Sequence, residues 1–512
     1  MASPRLAPAP PRSPSAAPSQ PHLTLPSGHD PQARHRGIRV ATAGLLAVAI
    51  VALAVALGGP GLGGGAIRIG AVFPLTGDPD VVALAGQEKL GVRIAADFVN
   101  ADGGIDGRPI ALDVRDLPDA AAASSAIAAL RADGVPLVIG AYASQLSIAA
   151  SAAADQAGLV YWEAGAVADQ LTGRGLPRVF RVGASGARLG TNSAQFSATE
   201  LAPRLDLTPS DLRVTVVSAN DAYASSVADA AVAESKALGL RLTGRVTYDL
   251  GLPRWSQVVS AVAASRPDVV ILASHIPDGV AFVQALDAAH VTVPALIGST
   301  MAECVPDFGN MLGDASLGIF GSDRPPSGFD PQALDPSARA LYDRFAAAWA
   351  EQAGGPPTEE GLSGFTAAWA LFHDVLPSAA AAGRLDAQDI AAAARAVDLP
   401  SGSLPNGAGL RFATDTAHLG QNLRAAAVMW QWQAASPASA AVSAWQPPST
   451  GSGAWEGSDP TASGSATDGI AGGETAGSRT SGQVAGANAT VQDVVVWPAA
   501  FAAGRIEMVP RP

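Results

Sequence analysis

The sequence predicts an α/β fold built on parallel sheets, and three features carry that prediction. From Ile67 to about Ile297, short apolar runs alternate with segments of helical length, the pattern of repeated βαβ units. Runs such as DVVILAS (268–274) are apolar at successive positions, as a strand covered by helices on both faces must be. The first unit, Ile67 to Asp116, shows the pattern in full. An apolar β-rich run ends at a Pro/Thr/Gly loop, an amphipathic helix follows, and a Gly/Asp turn leads into a second strand.

Taken in order, the expected strands are IRIGAVF (67–73), IALDVRD (110–116), PLVIGA (136–141), LVYWEA (159–164), LRVTVVS (212–218), RLTGRVTY (241–248), DVVILAS (268–274) and VPALIG (293–298). Ala-rich segments of helical length, such as AAASSAIAALRAD and AYASSVADAAVAESKALG, lie between them. Residues 336–397 read as helical. Strands return at AGLRFAT (408–414) and LRAAAVMWQWQ (423–433). Residues 434–490 are rich in Ser, Gly, Ala, Pro and Thr without periodicity, which predicts a flexible insertion. The strand-like VQDVVVW after it makes that insertion a loop within a domain rather than a free tail.

The N-terminus sets the compartment. Residues 1–37 are Pro/Ser/Ala-rich, which predicts a disordered cytoplasmic tail. Residues 38–60 hold the apolar run Val40–Leu57, and no charge occurs between Arg39 and Arg68. That is close to the ~20 residues that span a bilayer. The basic flank RHRGIR precedes the run, so the bulk of the chain is expected outside the cytoplasm. The run is either an uncleaved signal anchor, forming one N-terminal transmembrane helix, or a signal peptide cleaved near Ala54 or Ala56. With cleavage the protein is secreted; without it, the protein is a single-pass membrane protein.

Composition excludes several function classes. The net charge of 32 − 45 = −13 argues against a nucleic-acid partner, which needs a basic face. The single cysteine, Cys304, rules out an internal disulfide framework and any multi-cysteine metal site. GASGA (183–187) lacks the final glycine of a nucleophile elbow. The glycines GLGGG (61–65) precede a strand, whereas a dinucleotide loop follows one. His275, His290, His373 and His418 are isolated and read as structural. Glu359-Glu360 reads as a solvated helix start. The expectation is a protein that is not an enzyme and needs no cofactor.

Eight segments occur in an order that points to a family. They are IGAVFPLTG; Gly86, Gly91, Ala95 and Asn100 followed by GGIDGRPI; VIGAYASQLSIAASAAADQAGLVYWEAGA with a later LT; FRVGAS; VTVVSANDAYA; PDVVILA; PALIGST; and GAGLRFAT. With these the chain resembles the type I periplasmic solute-binding proteins of ABC transporters, in the branched-chain amino acid (Leu/Ile/Val) and amide-binding group. The resemblance implies two Rossmann-like lobes with parallel sheets, joined by three crossings. Residues 67–183 plus 320–420 would form one lobe, and 184–319 plus 421–433 and 491–512 the other. It also implies a small polar solute in the cleft, and an ABC permease and ATPase as partners. A ligand-sensing receptor of the same fold, signalling to a partner protein, is the alternative.

Ser144 follows a predicted strand at a helix start, where a hydroxyl and helix N–H groups suit a carboxylate. A plain N-cap serine is the other reading. The resemblance also makes Ser144 a carboxylate-binding serine, and Tyr142 lines or covers the cleft. The segment Glu163, Ala164, Gly165, Ala166 resembles the family's backbone grip on an amino acid's polar head. The family's threonine there falls on Val167, which has no hydroxyl. Glu163 offers a carboxylate to an ammonium or amide N–H, or is a surface glutamate at a strand end. Tyr223 matches a tyrosine covering the ligand, with a packing aromatic as its alternative. Thr300 lies where the family's ammonium-binding acid is expected, and Glu303 follows two or three places late. Asn220 and Asp221 read as a turn and helix cap, and Trp255 as an aromatic at a helix start.

Overall fold

The computed structural model describes residues 65–299, 306–326, 328–435 and 491–509. The Val40–Leu57 segment, Thr300, Glu303, Cys304 and residues 436–490 lie outside this set. Among the described residues, no helix is long and apolar enough to cross a membrane.

Strands β1 (Ile67–Phe73), β2 (Ile110–Asp116), β3 (Leu137–Gly140), β4 (Val160–Glu163) and β5 (Val179–Arg181) form one parallel sheet, in the order β2-β1-β3-β4-β5. The second sheet holds β6 (Arg213–Ala219), β7 (Arg241–Tyr248), β8 (Val269–Ala273), β9 (Ala295–Gly298), β10 (Phe320–Asp323), β11 (Val428–Ala434) and β12 (Val491–Trp497). Its order is β12-β11-β10-β9-β8-β6-β7. β6 to β10 are parallel, while β11 and β12 are antiparallel additions at one edge. All eight strands expected between Ile67 and Gly298 are present. The inner strands β3, β4, β8 and β9 are buried along their whole length, which explains why they read as unbroken apolar runs.

Three details depart from expectation. β5 and β10 were not anticipated: one is three residues long and the other carries Gly321, Ser322 and Asp323. AGLRFAT is not a strand, because its residues form only isolated bridges, Leu410 to Leu399 and Phe412 to Asn422. β10 pairs with β9 and β11, so the chain leaves the second sheet after Asp323, not at residue 320.

Two lobes result, and the chain crosses between them three times: after Arg181, after Asp323, and between Asn422 and Val428. On its return to the first lobe it forms the helices Pro336–Ala353 and Glu359–Trp369. The latter packs closely on the helix Pro79–Ala101. Glycine makes that approach possible. A Cβ at Gly91 would overlap the Gly361 carbonyl oxygen, and one at Gly364 would overlap the Glu88 carbonyl oxygen.

This packing predicts opposite outcomes for two substitutions in one helix. Gly91→Ala should destabilise by about 1–3 kcal/mol through overpacking. Gly86→Ala, where an added Cβ meets nothing within 4 Å, should stabilise by about 0.5–1 kcal/mol. Denaturant melts of both variants check the pair.

Candidate functional site

Open α/β sheets bind ligands beyond the carboxyl ends of their strands. In the first lobe those ends carry Tyr142 and Ser144 after β3, and residues 164–168 after β4. Ser144 is the first residue of the helix Ser144–Gln156, and Ala143 is its cap residue. The serine therefore does not cap its own helix. Its Oγ accepts the Ala168 N–H at 3.2 Å, which leaves its hydroxyl proton to donate elsewhere. Tyr142 adopts a left-handed conformation at φ 83°. Its ring lies against Gly165, and its hydroxyl is hydrogen-bonded to Glu360.

The loop after β4 is satisfied almost wholly by the protein itself. Glu163 Oε1 accepts the N–H groups of Ala164, Gly165 and Ala166 at 3.1, 2.9 and 2.9 Å. Its Oε2 accepts the Tyr161 hydroxyl at 3.1 Å. Glu163 is fully buried, so it is not a surface residue, and the amides it meets are those of its own loop. The carbonyls go to two buried arginines. Arg324 Nη1 donates to Ala164 and Gly165 at 3.3 and 2.9 Å. Arg181 Nη1 donates to Ala166 and Ala168 at 3.3 and 2.7 Å. Arg181 stands at the first crossing and Arg324 at the second. Gln421, near the third, accepts from Arg181 Nε at 2.6 Å.

Around Arg324 lies a buried cluster of carboxyl groups: Glu88, Glu163, Asp323, Glu359 and Glu360. Arg324 Nε pairs with Glu359 at 2.5 Å and with Asp323 at 3.5 Å. Glu359 and Glu360 are thus not a solvated helix start; they turn inward to the guanidinium. Burial and neighbouring carboxylates, Glu163 first among them, raise the Glu88 carboxyl well above its usual range. Burial raises Glu359 likewise, with Arg324 opposing, and pushes Glu360 up to about 7. Burial works against the charge of Arg324, yet Glu359 and Asp323 hold it protonated well above the ordinary arginine range. Glu88 stands apart from the others. Neither of its carboxyl oxygens has a hydrogen-bond partner among the described residues. Its Oε2 sits so close to Gly165 that a Cβ there would overlap it.

The second wall comes from the other lobe. Tyr223, in the first turn of the helix Ala222–Ala237, is buried. Asp221 caps that helix by accepting the Ala224 N–H at 3.0 Å. Tyr223 faces the His275 ring at 4.9 Å. The walls touch: the Asp169 N–H donates to Ser226 Oγ at 2.9 Å. Trp255 packs on Tyr248 and Phe282. Tyr142, Ser144, Glu163, Ala164, Gly165 and Ala166 therefore gather on one wall, with Tyr223 on the other. Thr300 lies outside the described residues. Sequence reasoning missed Glu88, Arg181, Arg324 and His275. The arginines close strands too short to recognise, Glu88 looks like a solvent-face residue of its helix, and the partner of His275, Asp221, is far away in sequence.

A family model described as periplasmic binding protein matches residues 66–434. The chain belongs to the periplasmic binding protein family. Among relatives of this binding protein, the Leu/Ile/Val-binding protein homolog 8 of Brucella abortus is 30% identical over 372 residues, 72% of this chain and 88% of that one. The Leu/Ile/Val-binding protein homolog 7 of Brucella melitensis is 27% identical over 408 residues, 78% and 98% of the two chains. Two solved structures share the fold. A leucine binding protein from Thermotoga maritima superposes with a TM-score of 0.58 at 20% identity, covering 71% of this chain and 95% of its own. A branched-chain amino acid transporter substrate binding protein from Streptococcus pneumoniae, in complex with isoleucine, gives 0.57 at 19%, covering 72% and 96%.

Glu88 offers a direct check on the site's electrostatics in this periplasmic binding protein. A carboxyl raised in the folded state binds its proton more tightly there than when unfolded. Wild-type stability should therefore fall as pH rises from the usual glutamate range through the raised value. Glu88→Gln removes the part of that slope due to Glu88, while Glu163, Glu359 and Glu360, also raised by burial, keep theirs. The variant should match wild type near pH 4 and exceed it at pH 8, as read by thermal melts across pH.

Proposed function

We propose that this protein captures a small polar solute, an amino acid or amide-like compound, between its lobes and delivers it to an ABC permease and ATPase. What supports the reading is that the two lobes meet here, the Asp169 N–H donating to Ser226 Oγ, and that Tyr142 and Ser144 of one lobe and Tyr223 of the other are buried. Hinge motion about the three crossings opens and closes such a cleft. Ser144 is the group for a solute carboxylate: its proton is free to donate, and the first-turn N–H groups of its helix lie beside it. Tyr223 covers the solute from the second lobe. The relatives named for Leu, Ile and Val, and the isoleucine complex among the solved structures, make leucine and isoleucine the first solutes to try.

The loop Ala164–Ala166 takes a supporting part in this reading. Glu163 already occupies its amides, and Val167 offers no hydroxyl. The grip on the solute falls more heavily on Ser144 and the second lobe. Export is assigned to the segment Val40–Leu57, kept as a single-pass anchor or removed as a signal peptide.

Thermal shift of the purified protein against amino acids, amides, short peptides and aromatic acids tests the solute class. A true ligand at 100 times its dissociation constant should stabilise by ~2.7 kcal/mol. No shift from any of them would remove this solute class. Ser144→Ala and Tyr223→Ala should each weaken the ligand found, by about 1–3 kcal/mol in titration calorimetry. Unchanged affinity in both would mean that the solute sits elsewhere.

A further inference from the structure

The family match stops at residue 434, so β12 and the residues that follow it lie beyond the matched part of the chain. After β12 the chain turns through residues 498–502 and comes back along the same sheet edge. Both stems of this turn are fixed to the second sheet. Ala503 and Gly504 donate their N–H groups to the Val495 carbonyl of β12 at 2.9 and 3.1 Å. On β11, Gln433 donates to the Arg505 carbonyl at 2.7 Å. Gln431, also on β11, donates to the Glu507 carbonyl at 2.6 Å and accepts the Glu507 N–H at 2.9 Å.

The tip of the turn reaches the first lobe. The Phe501 ring lies 5.7 Å from that of Phe329, just past the second crossing, and Phe329 lies 5.7 Å from Tyr342 of the helix Pro336–Ala353. That helix belongs to the first lobe, where its Phe345 stacks on Phe365 at 4.2 Å. The Phe501 carbonyl accepts the Asp330 N–H at 2.9 Å. The ring also meets Gly407, where a Cβ would overlap it. We propose that this turn is a fourth link between the lobes, a peg rooted in the second sheet and seated in the first lobe, which favours the arrangement in which the lobes touch and so raises affinity for the solute. The effect on affinity rests on the proposed interlobe site.

Geometry supplies the reason. A peptide crossing absorbs hinge rotation in a few backbone dihedrals. A side chain seated in a socket cannot do so, because rotation of the first lobe against the second sheet moves the socket off the peg. Phe501 is seated in the same arrangement in which the Asp169 N–H meets Ser226 Oγ across the lobes. Its packing therefore counts toward that arrangement. One aromatic pair shifts such an equilibrium by about two- to tenfold. Apparent affinity follows the population of the binding-competent state, by up to the same factor.

The test compares the full chain with its Phe501→Ala and Phe501→Leu variants, first without solute. Hydrogen exchange of the Asp169 amide reports opening of the lobes, and that of Ile271, at the centre of β8, reports the stability of the second sheet. Phe501→Ala should speed exchange at Asp169 by about two- to tenfold and leave Ile271 unchanged, with Phe501→Leu in between. Wild-type exchange at Asp169 overturns the inference. Equal acceleration at Ile271 overturns it too, since the turn then supports the sheet alone. L-Leucine, titrated by calorimetry, should bind Phe501→Ala more weakly by up to the same factor, and unchanged affinity overturns the inference. If leucine does not bind the wild type, the solute choice has failed, and exchange in the free protein decides alone.

Discussion

The short loop Ala164–Ala168 is the constraint on which the cleft depends. Its amides are held by Glu163, and its carbonyls by guanidinium groups from two different interlobe crossings. These hydrogen bonds are charged and buried, so breaking one without replacement costs more than an exposed bond would. Any rotation of the lobes must either carry the loop along or release an arginine from it. The loop thus ties the crossings to the carboxyl edge of the first sheet, where it follows β4. Gln421 and Asn422 extend the arrangement to the third crossing through Arg181, Gly183 and Val182.

The arginines bring a second constraint. Arg324 is buried and is surrounded by more carboxyl groups than it can balance. Buried ion pairs seldom add net stability, because desolvation takes back most of the Coulombic gain. The cluster is better understood as fixing geometry: each carboxyl orients the guanidinium or the loop it holds. Burial and the neighbouring carboxylates raise Glu88 well above the usual carboxyl range, and neither of its oxygens has a hydrogen-bond partner among the described residues.

Much of this fold is legible in the sequence, for physical reasons. Ile67–Phe73 and DVVILAS are covered on both faces, and their burial writes an apolar run. Val179–Arg181 and Phe320–Asp323 are too short, and the latter too polar, to leave such a trace. AGLRFAT misleads because Leu410 and Phe412 are buried without joining a sheet, Phe412 packing on Trp162 of β4 and Phe180 of β5. The places of Ser144 and Tyr223 at helix starts after strands are legible because strand ends and motifs mark them. Glu359 and Glu360 are not, since two acids at a helix start look solvated until Arg324 turns them inward. His275 is invisible for the same reason: its meaning comes from Asp221 and Tyr223, which only the folded sheet brings to it.

The final strand carries a consequence for how the molecule is made. β12 pairs with β11 from Ala434 opposite Val491, near the end of the chain. β11 contributes Trp430 and Trp432 to the core, and Trp430 lies over Gly321 of β10. Until β12 arrives, β11 is an open apolar edge, the kind of surface on which chains aggregate. The interval between β11 and β12 is therefore a period of exposure during biogenesis, and its length is set by how far apart in the sequence the two strands lie.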